Sequence, residues 1–107
     1  MIKPETTLQT KCLKYLKGRG IYCINKYGDG RSAKGAPDIY ACINGRFVVF
    51  ETKVGDNDMQ ADQKIHKLRI ERSGGLHYVP YNLEEFIEIV EDLIRRGQQA
   101  KETIPNE

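Results

Sequence analysis

Residues 35–53 read GAPDIYACINGRFVVFETK, and this stretch predicts an antiparallel β-hairpin. Asn44 and Gly45 lie between two apolar runs, and Asn-Gly is the strongest short signal for a two-residue type I′ turn, because both of its residues need a positive φ. With these two residues as the loop, Ile43 faces Arg46. The turn therefore fixes which side chains of the two strands lie opposite each other.

The predicted register places two acidic side chains opposite each other. Counting back from the turn puts Asp38 across from Glu51, and strand alternation puts Lys53 on the same face as Glu51. Like charges about 5 Å apart, the spacing of facing side chains, repel by roughly 3 kcal/mol at an effective dielectric of 20. Folding alone does not favour this pair, whereas a hard divalent cation takes carboxylate oxygens. The alternative is a solvated strand end, where screening makes the repulsion small.

Length and composition indicate one small domain. The chain has 107 residues, no apolar run near 18 residues and no signal-peptide h-region, so we expect a cytoplasmic protein without a membrane span. Its three cysteines are widely spaced and predict reduced thiols. Residues 1–37 carry eight basic and two acidic residues, a net charge of +6. This basic third favours a polyanionic partner, although lysines on an exposed helix face are often only solvated.

The hydrophobic pattern predicts the element order αβββαβα. The predicted elements are a helix from Pro4 to Gly18 or Gly20, a strand at residues 21–27, the two hairpin strands, a helix capped by Asn57 with Gln60 and ended by Gly74 and Gly75, a strand at residues 76–79, and a helix from Asn82 to Gly97. Both faces of the hairpin are largely apolar, so we expect it at the centre of a sheet covered on both sides. The predicted domain spans residues 1–97, and residues 98–107 are expected to fray.

Several motifs of this chain resemble those of a known nuclease superfamily. Pro37-Asp38, followed about a dozen residues later by Glu51-Thr52-Lys53, resembles the motif of the PD-(D/E)XK nucleases. The chain is most similar to one branch of that superfamily, the VRR-NUC family, and to its small stand-alone phage-type members. The motifs that carry this resemblance are Glu5 at the start of the first helix, Gly35-Ala36-Pro37-Asp38, Glu51-Thr52-Lys53, Gln63 early in the second helix, and Gly74 eleven residues after it.

The resemblance covers roughly residues 4–90 and implies a restriction-endonuclease-like αβββαβα core, a mixed central sheet flanked by helices. It also implies a metal-dependent DNA endonuclease. Asp38 and Glu51 are then expected to hold Mg²⁺ or Mn²⁺, with the backbone carbonyl of Thr52 as a further ligand. Glu5 is expected to reach the metal directly or through water. No organic cofactor is implied.

The resemblance gives two further residues a catalytic role. Lys53 would orient or deprotonate the attacking water, or stabilise the developing charge; the alternative is a simple ion pair with Asp56. Gln63 would position this lysine or a phosphate, with Gln60 as the alternative in register. Lone glutamines on helices are more often surface residues.

Four cations of the basic third are predicted to contact DNA phosphates, with solvation as the alternative: Lys11, Lys26, Arg31 and Lys34. The family implies branched DNA, such as a four-way junction, as the substrate, and a phage-encoded protein that acts in the host cytoplasm. Two rival functions remain open. One is a non-catalytic nucleic-acid-binding module that keeps the nuclease fold, and the other is a small metal-binding interaction protein.

The last two helices predict a homodimer. Seven apolar residues of the third helix lie between Leu83 and Ile94 and spread over about 160°, whereas covering one sheet face takes a stripe only somewhat wider than about 100°. Ile89 is the outlier on that wheel. Ile70 is the outlier on the second helix, relative to Ala61, Ile65 and Leu68. The alternative is a deeper intramolecular core.

Overall fold

The structure of the protein is a computed structural model that describes residues 3–26 and 34–103, with side chains described up to residue 98. The order of its elements is αβββαβα, as predicted. They are α1 (Pro4–Gly18), β1 (Cys23–Asn25), β2 (Ile39–Ile43), β3 (Arg46–Phe50), α2 (Ala61–Arg72), β4 (Leu76–Tyr78) and α3 (Leu83–Thr103). Within the described residues, no helix combines the length and the apolarity needed to cross a membrane.

The four strands form one mixed sheet in the order β1-β2-β3-β4. The first three strands are antiparallel, and β4 runs parallel to β3. The hairpin is therefore central. Asn44 and Gly45 have φ values of 51° and 77°, as a type I′ turn requires. β2 and β3 pair Ile39 with Phe50 and Ile43 with Arg46, which confirms the predicted register.

The two faces of the sheet carry different side chains. One of them, called the core face, packs against α1 and α3 and forms the hydrophobic core. Its strand residues include Ile39, Ala41, Val48 and Phe50, and the helices contribute Leu8, Cys12, Leu16, Phe86 and Val90. Strand alternation places the neighbouring residues on the opposite face, called the open face. These residues are Ile24, Tyr40, Cys42, Phe47, Val49 and His77.

α2 covers only part of the open face. A Cβ atom at Gly75 would lie 2.8 Å from Ile70 Cγ2 and 3.1 Å from Phe47 Cδ2, so helix, ring and backbone are closely packed there. Phe47 nevertheless remains 50% exposed, and Cys42 is exposed. The expectation of a hairpin covered on both sides is therefore wrong near the turn, because α2 packs mainly against β4 at the edge of the sheet.

The apolar stripe of α2 is oriented differently from the prediction. Ile70 is not the outlier, because it faces the sheet beside Phe47. Ile65 and Leu68 point away from the sheet and are 57% and 48% exposed. On α3, Ile89 is partly buried against the core, as the intramolecular alternative expects.

Three predicted elements differ from the structure by two residues or more at a boundary. α3 continues to Thr103, so Gly97 does not end it. A Cβ atom at Gly97 would lie 2.0 Å from Asn44 Nδ2, and the Asn44 amide donates to the carbonyls of Leu93 and Ile94 at 2.8 and 3.1 Å. The missing side chain of Gly97 therefore allows the hairpin turn to lie close to α3.

The other two differences concern β1 and the start of α2. β1 is shorter than the predicted strand at residues 21–27, whose last residue lies outside the described part. Gln60, and not Asn57, is the N-cap of α2. By contrast, the predicted cap of α3 is confirmed, since the Glu85 N–H donates to Asn82 Oδ1 at 2.8 Å.

Candidate active site

Asp38 and Glu51 lie opposite each other at the end of the hairpin that is farthest from the turn: Asp38 precedes β2, and Glu51 follows β3. Their facing position follows from the pairing of Ile39 with Phe50. Glu51 is only 2% exposed, and its Oε1 atom has no hydrogen-bond partner among the described residues. The N–H and the hydroxyl of Thr52 both donate to Asp38 Oδ2, at 2.9 and 3.0 Å. These two bonds fix the Asp38 carboxylate beside a buried carboxyl group, one oxygen of which has no partner among the described residues.

The electrostatics of this pair favour a bound cation. The pKa of Glu51 is raised to about 9, chiefly by burial and next by hydrogen bonding and charge repulsion from Asp38. Lys53 and Lys26 lower the pKa of Glu51 without offsetting the burial. Without a cation, Glu51 therefore keeps a proton at neutral pH. A divalent cation shared by the two carboxylates would displace that proton and give Oε1 a partner.

The two carboxylates open into a surface cavity of about 570 Å³. The structure brings most of the predicted site residues to its wall. The residues lining it are Glu5, Lys26, Lys34, Gly35, Asp38, Glu51, Gln60, Ala61, Asp62 and Gln63. The cavity wall therefore carries two lysines beside four acidic side chains.

Two polar side chains of the wall are held by backbone contacts. Lys26 Nζ donates to the Ala36 carbonyl at 3.1 Å. Gln63 Oε1 accepts a hydrogen bond from the Gln60 N–H at 2.7 Å. This bond belongs to the start of α2 and leaves the two amide N–H donors of Gln63 for another acceptor.

Lys53 is buried, with 6% of its surface exposed, and does not contribute to the cavity wall. Its backbone N–H donates to the Pro80 carbonyl at 3.1 Å, which extends the pairing between β3 and the segment after β4. Its ammonium group acts on the pKa of Glu51. Lys53 and Asp56, both within the described part of the chain, do not form an ion pair. The alternative that Lys53 merely pairs with Asp56 is therefore wrong.

One of the four predicted DNA contacts lies away from the cavity, and another falls outside the described residues. Lys11 lines a different surface cavity, between α1 and the start of α3, together with Lys14 and Arg19. Its helical position places it away from the side of α1 that carries Glu5. Arg31 lies outside the described residues. Lys26 and Lys34 are thus the predicted cations that the structure brings to the carboxylates.

Glu5 lies at the cavity wall, in the first turn of α1. Among residues 3–26 and 34–98, no three His, Cys, Asp or Glu side chains converge closely enough to hold a metal ion. Glu5 lines the cavity but does not join Asp38 and Glu51 as a third direct ligand in this arrangement. Direct contact and contact through water both stay predictions for Glu5.

Sequence reasoning missed two residues at the site. Tyr40 follows Asp38 by two residues on the same face of β2, and its pKa is raised by burial first and then by Glu51 and Asp38. Asp62 lines the cavity, and its Oδ1 accepts a hydrogen bond from the Gln63 N–H at 2.9 Å. Strand alternation alone would have indicated that Tyr40 lies near the site. The position of Asp62 at the cavity depends on how α2 packs against the rest of the chain, which the sequence pattern does not give.

Gly35 explains how α2 reaches the carboxylates. Its φ of 85° is a left-handed conformation, and a Cβ atom there would lie 2.7 Å from the backbone carbonyl carbon of Asp62. Only glycine satisfies both constraints. The first residue of the Gly35-Ala36-Pro37-Asp38 motif therefore lets the start of α2 approach the strand that carries Asp38.

No protein-family model matches this chain, and no curated protein matches it either. The functional conclusion therefore depends on the geometry of the site and on the motifs in the sequence.

Proposed function

We propose that the protein is a divalent-metal-dependent deoxyribonuclease that hydrolyses phosphodiester bonds within DNA. The observation that carries this proposal is the pair of Asp38 and Glu51, in which the buried Glu51 Oε1 has no hydrogen-bond partner within the part of the chain that the structure describes and the pKa of Glu51 is raised to about 9. Such a pair destabilises the fold unless something positive joins it. Mg²⁺ and Mn²⁺ have the charge and the preference for oxygen ligands that this donor set fits.

The chain offers a plausible set of oxygen ligands for that ion. Asp38 and Glu51 would hold the cation, together with the backbone carbonyl of Thr52, and Glu5 would reach it directly or through water. When bound, the cation would supply Lewis-acid activation of a water and neutralise charge on the reacting phosphate. The Thr52 N–H and hydroxyl keep Asp38 oriented for this role.

Other residues of the site would bind and orient the substrate. Lys26 and Lys34 line the cavity and would hold phosphate oxygens on either side of the bond to be cut. The amide N–H donors of Gln63, left free by its bond to Gln60, would position a phosphate or Lys53. Lys53, buried beside Glu51, would orient the attacking water, accept its proton or stabilise the charge that develops.

The resemblance to VRR-NUC nucleases also supports finer proposals. These are the restriction-endonuclease-like topology of the αβββαβα core, preference for branched DNA such as a four-way junction, and action as a homodimer. A chain of 107 residues covers little DNA, so two copies would suit a branched substrate with two-fold symmetry. The exposed Ile65 and Leu68 on α2 would supply apolar surface for that contact.

Plasmid cleavage tests the proposed function against the non-catalytic alternative. Supercoiled plasmid is incubated with wild-type protein and Mg²⁺, Mn²⁺ or EDTA, and with Asp38→Asn, Lys53→Ala and Asp56→Asn. We expect nicking only with a divalent cation, loss of nicking in Asp38→Asn, and wild-type nicking in Asp56→Asn, whose exposed carboxylate lies outside the cavity. Lys53→Ala should lower the single-turnover rate with nearly unchanged DNA affinity. Cation-independent DNA binding without any cleavage would favour the binding module instead.

A further inference from the structure

A second groove lies on the open face, beyond the carboxylates and toward the hairpin turn. It has a volume of about 680 Å³ and runs between β3 and the second half of α2. The side chains that matter for its chemistry are Arg46, Phe47, His66, Arg69 and Ile70. We call it the distal groove. It combines one exposed aromatic ring with two guanidinium groups, and no acidic residue is among its described lining residues.

The ring of Phe47 is fixed although half of its surface is exposed. It meets Tyr40 edge to face, with ring centroids 6.0 Å apart and planes at 72°. Its other neighbours are Ile70 and the backbone of Gly75, packed so closely that a Cβ atom at Gly75 would lie 3.1 Å from the ring. A ring held on one side and exposed on the other is a preorganised surface for stacking a planar group.

The two arginines give the groove a positive charge that is free to bind an anion. Arg46 Nη2 donates to the Gly74 carbonyl at 2.9 Å, which orients the guanidinium and leaves other N–H donors unused. Among the ion pairs of the described residues, neither Arg46 nor Arg69 takes part. His66 Nε2 donates to the Lys34 carbonyl at 3.0 Å and so connects the groove to the wall of the carboxylate cavity.

The distal groove and the carboxylates lie along one strand face. Phe47 and Glu51 are four residues apart on the same face of β3 and its extension, a separation of about 13 Å at the rise of an extended strand. At a rise of about 3.4 Å per nucleotide, a stacked nucleic-acid strand covers that separation with about four nucleotides. One strand can therefore reach both sites.

We propose that the distal groove binds an unpaired, single-stranded segment of nucleic acid, with a base stacked on Phe47 and with Arg46 and Arg69 on the flanking phosphates. Stacking on an exposed ring needs a free base face, which a paired duplex does not present, and arginines that track the backbone are the usual companions of such rings. The inference rests on the proposed nuclease function for one point, that the bound strand continues into the carboxylate cavity. It then predicts substrates with an unpaired region about four nucleotides from the cut.

Binding of a fluorescent oligothymidine of about 12 nucleotides, within the site sizes of single-strand binders, tests this proposal by anisotropy in EDTA. A blunt duplex of the same length is measured in parallel. The variants are Phe47→Ala, Phe47→Tyr and Arg69→Gln. Ile65→Ala and Arg72→Gln are the matched controls, because these exposed side chains on α2 do not line the distal groove. Circular dichroism verifies that each variant folds.

The groove should affect the single strand selectively. Phe47→Ala should weaken oligothymidine binding about tenfold, within the range expected for one stacked base, and leave duplex affinity nearly unchanged. Phe47→Tyr should bind like wild type. Arg69→Gln should reduce the slope of the salt dependence by about 0.7. Both controls should bind like wild type.

Three results would overturn the inference: no measurable oligothymidine binding, equal losses on single strand and duplex, or equal effects of Phe47→Ala and Ile65→Ala. It would also fail if Phe47→Ala converted a dimer to a monomer in light scattering with oligothymidine affinity unchanged, since the groove would then be a contact between copies. Cleavage is read separately. If oligothymidine binding depends on Phe47 but the protein does not cleave plasmid, the proposed nuclease function is rejected and the single-strand site in the distal groove is supported. If cleavage is normal but binding does not depend on Phe47, only the single-strand site is rejected.

Discussion

The two faces of the central sheet are formed by the same strands but differ in the side chains that they bury. On the core face, Ile39, Val48 and Phe50 are fully buried among apolar side chains. On the open face, the buried groups include polar ones beside Val49: Glu51 and His77 are almost fully buried, and each has a nitrogen or oxygen atom without a hydrogen-bond partner among the described residues. Burying such groups costs free energy, so the core face must supply most of the stability.

His77 shows that the open face buries a polar group besides the carboxylates, also at a cost in free energy. It lies on β4, next to Val49 of β3. Burial lowers its pKa to about 4, and Lys67 lowers it as well. The open face therefore keeps a neutral imidazole and a protonated Glu51 side chain in the absence of a cation. A face that holds destabilising groups is typical of a functional site.

The largest expected difference between the faces is in the cost of removing an aromatic ring. Phe86 is fully buried and lies 4.6 Å from Phe50, measured between ring centroids. Phe86→Ala should lower the free energy of unfolding by about 3–5 kcal/mol. Phe47→Ala on the open face should lower it by only about 1 kcal/mol, because half of that ring is already exposed. Urea unfolding measures both, and equal costs would contradict the division of roles between the faces.

The pH dependence of stability should come from the open face. The folded-state pKa of Glu51, about 9, exceeds its ordinary value of 4.5, so the folded protein holds a proton that the unfolded chain has lost. The free energy of unfolding of the metal-free protein should therefore fall as pH rises between these values, by at most about 1.4 kcal/mol per pH unit.

His77 has the opposite effect, but only between its folded pKa of about 4 and its ordinary value of 6.5. Urea unfolding from pH 6.5 to 8 therefore isolates Glu51, because burial also raises the pKa values of Cys12 and Cys23 above their ordinary value of 9.0 and these thiols contribute at higher pH. Glu51→Gln, which cannot ionise, should remove the slope. An unchanged slope in this variant would show that another group is responsible.

Gly35→Ala should disturb the open face more than a glycine replacement at the hairpin turn. Gly45→Ala introduces only the strain of a positive φ, because no atom of the described residues lies within 4 Å of its Cβ position, and should cost roughly 1–2 kcal/mol. Gly35→Ala adds a clash with Asp62 at 2.7 Å, so it should cost more and also slow plasmid cleavage by displacing the start of α2. If both replacements lower the free energy of unfolding equally and Gly35→Ala cleaves normally, Gly35 does not help to position α2 at the site.

The smallest expected effect on stability is at the outer side of α2. Leu68 is 48% exposed, so Leu68→Asp should change the free energy of unfolding by less than about 0.5 kcal/mol and convert a dimer to a monomer in light scattering. Ile89→Asp is the contrast, because Ile89 packs against the core and its replacement by a charge should destabilise the domain. A monomeric wild type would reject the dimer.

The hairpin shows what the sequence could predict. Asn44-Gly45 admits one turn type, so the positions of Asp38, Glu51 and the alternating side chains followed from counting residues. The order αβββαβα followed from hydrophobic periods and breakers in the same way. These features depend on neighbours in the chain, which is why local patterns were sufficient.

The features that were missed depend on how elements dock. Ile65 and Ile70 are equally apolar in the sequence, and only the docking of α2 on the sheet decides which of them faces solvent. Gly97 has the composition of a helix end, but it lies against Asn44 of the hairpin turn. Asp62 and the distal groove likewise arise from α2 meeting β3. The spacing of apolar residues along the chain does not predict such contacts between elements.

The central claim is that Asp38 and Glu51 together hold one divalent cation, and titration of Mn²⁺ into the protein by isothermal calorimetry tests it most directly. The account predicts one site in wild type, loss of that site in Asp38→Asn and in Glu51→Gln, and an unchanged site in Asp56→Asn. Binding should also release a proton, visible as a dependence of the heat on buffer, because Glu51 is protonated in the metal-free protein at neutral pH. Equal Mn²⁺ affinity in wild type and Asp38→Asn, or no binding by wild type, would contradict it.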